Sequence, residues 1–148
     1  MNTIVCTVNG KKHTVTCKQS ESLRELLVRL GYTSVRDSDD REGFAGSDTV
    51  LYNDVPVYAN LMLAVQADGA EIKTAESMGT SRNLNVIQQA MIDAGVVQSA
   101  YNAPAAALLL TWLLEHESNP SKEQIKQVLS GIFIRDAGYE HYYLAVKL

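Results

Sequence analysis

A chain of 148 residues with 13 basic and 17 acidic side chains carries a net charge of −4 and a pI near 5.3. That balance argues against a basic nucleic-acid arm or membrane-surface patch, both of which need clustered Lys and Arg. At 46% hydrophobic and 20% charged the composition is that of a folded globule, and its longest apolar stretch, residues 103–114, is broken by Thr111 and too short to span a bilayer.

Residues 3–8 and 11–17 alternate around Asn9-Gly10, a pair that tolerates the positive φ of a type I′ turn, so they predict a β-hairpin. Ser22 and Glu25 make a capping-box pair, Leu23, Leu26, Leu27 and Leu30 share one face, and Gly31 stops the helix they predict. Residues 32–48 show no periodicity, and a loop that long in a compact domain has a task or is disordered. Strand character returns at 49–52 and 55–57 around Asn53-Asp54. A short apolar helix is predicted over 60–66 and a last strand over 70–74.

From about Ala75 the pattern turns wholly helical. Leu84, Ile87, Ala90, Met91 and Ala94 recur at helical spacing before Gly95, and residues 104–117 are so apolar that they belong at the centre of a bundle. Pro120 precedes a capping box of Ser121 and Gln124 that opens a third helix ending at Gly131, and residues 138–147 give a fourth. The fold class is therefore α+β, with one unit over 1–76 and another over 82–148, joined by a polar link.

The candidate chemistry is sparse. His13, His116 and His141 fall on separate elements, with no carboxylate or thiol at metal-ligand spacing, and read as surface or packing residues. In the predicted hairpin Cys6 faces the region of His13, so Cys17 is out of register for a disulfide, and both thiols read as small apolar fillers. Two cysteines cannot build a disulfide framework, and residues 1–6 lack the basic region and apolar core of a secretory leader, so the expected compartment is the cytoplasm. The loop carries Asp37, Asp39, Asp40, Glu42 and Asp48 against Arg36 and Arg41. Setting Gly43 at the turn of a Ca²⁺ loop places Ser38 first and Thr49 last, without the end carboxylates, so a solvated acidic loop is the better reading.

Several phrases occur in a telling order: Thr7-Val-Asn-Gly10, Thr49-Val-Leu51, Pro56-Val57, Gln66-Ala-Asp-Gly69, Gln88-Gln-Ala90, Asp93-Ala-Gly95, Val97-Gln98, Asn119-Pro120, Leu129-Ser-Gly131 and Gly138-Tyr139. Through them the chain resembles, from residue 4 onward, the small iron–sulfur subunit of the xanthine dehydrogenase (molybdenum hydroxylase) family. The resemblance implies a β-grasp domain like plant-type ferredoxins over 1–76, followed by a four-helix bundle over 82–148.

That family holds two [2Fe–2S] clusters through eight cysteines. The matching positions here are Asp40 (or Asp39), Ala45, Asp48 and Asn60 for one cluster, and Ser99, Asn102, Ile134 and Asp136 for the other, with Gly46 retained between Ala45 and Asp48. Such iron needs four thiolates, or two thiolates and two imidazoles. The replacements therefore lead us to expect no cofactor bound by this chain, no metal and no catalytic residue. The freed space is expected to be filled by Ala45, Tyr101, Ala103, Phe133 and Ile134. The resemblance also implies that Gln98 and Asp136 lie against the pterin of a molybdenum cofactor held by a partner; otherwise Gln98 caps an interior turn and Asp136 is solvated. The expected partners are a molybdopterin-binding large subunit and a flavin subunit, with no nucleic acid and no membrane. The first reading is a cluster-free, non-catalytic subunit that is structural and cofactor-shielding and carries no electrons. A free-standing interaction or regulatory module that kept the fold is the alternative, and a metal-binding domain using the acidic loop is a third.

Overall fold

A computed structural model describes residues 1–37, 41–133 and 137–147. The hairpin forms as its turn chemistry requires. Strands β1 (Asn2–Val8) and β2 (Lys11–Cys17) pair antiparallel, Cys6 opposite His13, around Asn9 and Gly10 at φ 50° and 79°. Helix α1 (Leu23–Arg29) opens on the expected box, with the Glu25 N–H donating to Ser22 Oγ at 3.1 Å and the Ser22 N–H to Glu25 Oε2 at 3.0 Å. β3 (Thr49–Tyr52) and β4 (Val55–Tyr58) form a second hairpin, and β5 (Glu71–Lys73) lies between β1 and β3. The mixed sheet runs β2-β1-β5-β3-β4, parallel only between β1 and β5. Leu23, Leu26 and Leu27 of α1 join Ile4, Val8, Val50 and Ile72 in one hydrophobic cluster.

The remaining helices are α2 (Val86–Asp93), α3 (Ala103–His116), α4 (Lys122–Leu129) and α5 (Tyr139–Lys147). Asn85 with Gln88, and Ser121 with Gln124, close capping boxes on α2 and α4. α3 buries Ala105, Ala106, Ala107, Leu108, Leu109 and Leu110 in succession, as an all-apolar helix must, and most of them join Met91, Ile125, Leu129 and Tyr142 in a second cluster. Among the described residues no helix is long and apolar enough to cross a membrane.

Two expectations are corrected. Residues 60–66 do not form a helix; two 3₁₀ turns, Ala59–Leu61 and Ala64–Ala67, flank an extended Met62-Leu63. The backbone bonds a helix would use are committed elsewhere: the Met62 carbonyl accepts from Leu23 N–H at 2.7 Å, and the Ala64 N–H donates to the Glu21 carbonyl at 2.8 Å. Nor do the aromatic residues named as fillers turn inward. Tyr101 is 58% exposed and Phe133 51%, the latter against the Phe44 ring at 5.7 Å. At each of them a hydrogen bond from the backbone N–H, to Ser99 Oγ and to the Ala45 carbonyl, holds the chain while the ring faces outward. Ile134 lies outside the described residues.

Candidate functional site

The first candidate segment is the loop entering β3. Gly46 sits at φ 72°, and a Cβ there would meet the Gly131 carbonyl oxygen at 2.0 Å, so this loop packs backbone to backbone on the turn after α4. Two bonds hold that approach and a third braces the loop itself. The Phe133 N–H donates to the Ala45 carbonyl at 2.8 Å, the Tyr58 hydroxyl to the Gly131 carbonyl at 2.7 Å, and the Thr49 hydroxyl to the Gly46 carbonyl at 2.6 Å. Ala45 thus contributes only its carbonyl.

Asp48 and Asn60 are brought together. The Asp48 carboxylate, in a residue 2% exposed, accepts the Asn60 N–H at 2.7 Å through Oδ2. Asn60 Nδ2 donates to Asp37 Oδ1 at 3.4 Å, and Asp37 Oδ2 lies 3.2 Å from Arg24 Nη1 on α1. Arg24 Nε also donates to the Val35 carbonyl at 3.2 Å. A chain of charge-assisted bonds therefore runs from α1 through the loop to the end of β4. Burial, and then the negative charge of Asp48, push the neighbouring Tyr58 phenol above its usual range. Asp39 and Asp40 lie outside the described residues.

The second segment, between α2 and α3, is built locally. Gln98 is exposed and its Nε2 donates back to the Gly95 carbonyl at 3.2 Å. Ser99 Oγ accepts the Tyr101 N–H at 3.2 Å, and Asn102 precedes α3 without a side-chain cap bond. Ile134 and Asp136 lie outside the described residues, so of the expected pterin-facing pair only Gln98 is placed.

The histidines stay apart. His13 Nε2 lies 2.9 Å from the Tyr32 hydroxyl, His116 Nε2 3.0 Å from Asp54 Oδ2, and His141 is on α5. Cys6 and Cys17 are free and buried in the first cluster, and burial pushes the Cys6 thiol up, away from the thiolate form. Among the described residues no three His, Cys, Asp or Glu side chains converge as a metal site.

One polar cluster escapes sequence reasoning. Asn9 brackets Thr74, its Oδ1 accepting the Thr74 N–H and its Nδ2 donating to Thr74 Oγ1, both at 2.8 Å. The Thr74 hydroxyl donates to Glu76 Oε2 at 2.5 Å, while the Ser34 N–H donates to Glu76 Oε1 at 2.8 Å and the Ser34 hydroxyl also reaches Oε2. Burial raises the Glu76 pKa, but the Ser34 and Thr74 donors outweigh it and hold the carboxyl below its usual range. Only the placement of Asn9 in a turn hinted at this cluster.

Residues 74–147 match the family described as "[2Fe-2S] binding domain". The chain is 48% identical over 142 residues to "Probable hypoxanthine oxidase XdhD" of Escherichia coli K12, covering 96% of this chain but only 15% of that protein. It is 34% identical over 146 residues to "Nicotinate dehydrogenase small FeS subunit" of Eubacterium barkeri, covering 98% of this chain and 92% of that one. Among solved structures, a chain of quinoline 2-oxidoreductase from Pseudomonas putida 86 superimposes with a TM-score of 0.89 at 27% identity, over 98% of this chain and 90% of that one.

These matches overturn the expectation that no cofactor belongs to this chain, because the matched family is described by its [2Fe-2S] binding. The described side chains at the positions the resemblance assigns, Ala45, Asp48, Asn60, Ser99 and Asn102, nonetheless offer no thiolate, and both cysteines lie in the β1–β2 hairpin. This donor set does not fit a thiolate-held cluster. By sequence and by fold, the chain belongs to the family of small iron–sulfur subunits of xanthine dehydrogenase and the molybdenum hydroxylases.

Proposed function

We propose that this chain acts as the small subunit of a molybdenum-hydroxylase complex, docking on a molybdopterin-binding large subunit and, in complexes that hold one, a flavin subunit. Its part there is structural and cofactor-shielding. The observation that carries this reading is the match over nearly the whole chain to a relative named as a small FeS subunit, which the chain covers over 92% of its length. In the same reading residues 1–76 are a β-grasp domain and 82–148 a four-helix bundle, a division supported by the two separate hydrophobic clusters. Gln98 supports the docking face. It is exposed, bonded only to its own turn among the described residues, and its amide can turn outward to a pterin without breaking any tertiary contact.

The test is affinity purification of the tagged chain from its native host. A molybdenum-containing partner should co-purify in fixed ratio, and Gln98→Ala should lower the molybdenum retained per complex, at about 1–3 kcal/mol for a lost polar contact to a buried group. Recovery of the chain solely as a stable free monomer would instead establish the free-standing module.

A further inference from the structure

We propose that the cleft between the two halves of the chain binds a small apolar carboxylate, a one- or two-ring acid whose carboxylate meets Arg36 and whose rings lie on Met91, Val97 and Pro104. The cleft encloses about 440 Å³, within the range of roughly 300–1,000 Å³ that small-molecule sites occupy. One side, from α2, α3 and the turn between them, is apolar: Met91, Ile92, Val97, Ala103, Pro104 and Ala107. Ile92 is 50% and Val97 46% exposed, so apolar surface stands in water at a concave place where a ligand would cover it.

The opposite wall is polar, with Ser34, Arg36 and Glu76. Glu76 already accepts from the Ser34 N–H and from the Ser34 and Thr74 hydroxyls, so its oxygens are spent within the protein while its negative charge remains. Arg36 is different. Its backbone N–H is fixed on the Ser47 carbonyl at 3.2 Å, but its guanidinium makes no ion pair among the described residues. Gln88 Oε1 is spent on the Asn85 N–H at 2.9 Å, which leaves its amide NH₂ as a second donor in the lining. A guanidinium without an ion-pair partner and an amide donor beside an apolar floor suit an anion with a flat apolar body. A free-standing chain would bind the same acid, so the site is independent of the subunit reading.

The full ¹⁵N-labelled chain titrated with 2-naphthoate should show saturable, one-site movement of the Ser34, Gln88, Val97 and Ala100 amides. The neutral 2-naphthalenemethanol should bind about tenfold more weakly, the scale of one charge-assisted bond. Arg36→Gln, a change at an exposed side chain, should weaken the acid by about the same factor and leave the alcohol unchanged. Equal binding of acid and alcohol overturns the proposal, as does unsaturable movement spread to Phe44 and Phe133. Movement of the same amides on diluting the free chain would show a second copy seated in the cleft, and would overturn it too.

Discussion

The loop entering β3 and the turn entering α3 hold corresponding places in the family resemblance, yet they are built in opposite ways. The first is knitted into both halves of the chain, with Gly46 pressed on Gly131, Phe133 bonded to Ala45, and Asp48 buried against Asn60. The second is exposed and bonded to itself, Gln98 to Gly95 and Tyr101 to Ser99. One segment thus ties the two halves of the chain together, and the other stands exposed on bonds of its own.

The sharpest way to break this contrast is at Gly46. Gly46→Val puts a branched side chain at φ 72° and into the Gly131 carbonyl; thermal unfolding should show a loss of about 3–5 kcal/mol. An unchanged Tm would mean that the two halves do not depend on this approach. Next comes Asp48→Ala, which leaves the half-buried Asn60 N–H without its acceptor and should cost about 1–3 kcal/mol by denaturant titration. Tyr58→Phe removes a single 2.7 Å bond to the Gly131 carbonyl and should cost about 1 kcal/mol. At the other segment, Ser99→Ala should change chain stability by less than about 0.5 kcal/mol, because its partner N–H is open to water. A loss there as large as at Asp48 would erase the distinction.

Glu76 gives the pH arm. Its folded carboxyl is held below the usual glutamate range, so its contribution is complete above that range and is lost as pH falls through the folded value. Acid unfolding of Glu76→Gln should accordingly show a shallower decline below about pH 4.5 than the parent chain. Identical slopes would mean that the Ser34 and Thr74 bonds persist on unfolding.

What could be read from the residues was whatever closes locally. Asn9-Gly10, the boxes at Ser22/Glu25 and Ser121/Gln124, and the apolar α3 each carry their reason within a few positions, and each appears in the structure. Residues 60–66 misled because their backbone partners, Glu21 and Leu23, sit on another element. The bonds of Asp48 to Asn60, Ser34 to Glu76 and Asn9 to Thr74 join residues 12, 42 and 65 positions apart, distances at which periodicity is silent. The exposure of Tyr101 and Phe133 was illegible for a related reason: composition says that aromatic rings favour burial, but not which of them a partner or solvent will face.

The parallel pairing of β1 with β5 also sets an order of events during synthesis. Val5 waits for Asp68, 63 positions later, and Thr7 for Ala70, before the middle of the sheet closes. Until then the first hairpin is a two-stranded ribbon with both edges open, too small to be stable alone and able to pair with another nascent chain. The strap from Phe133 to Ala45 closes later still, once the helices have been made. Long-range closures of this kind slow folding, so β1 should be the segment most in need of protection while the chain leaves the ribosome.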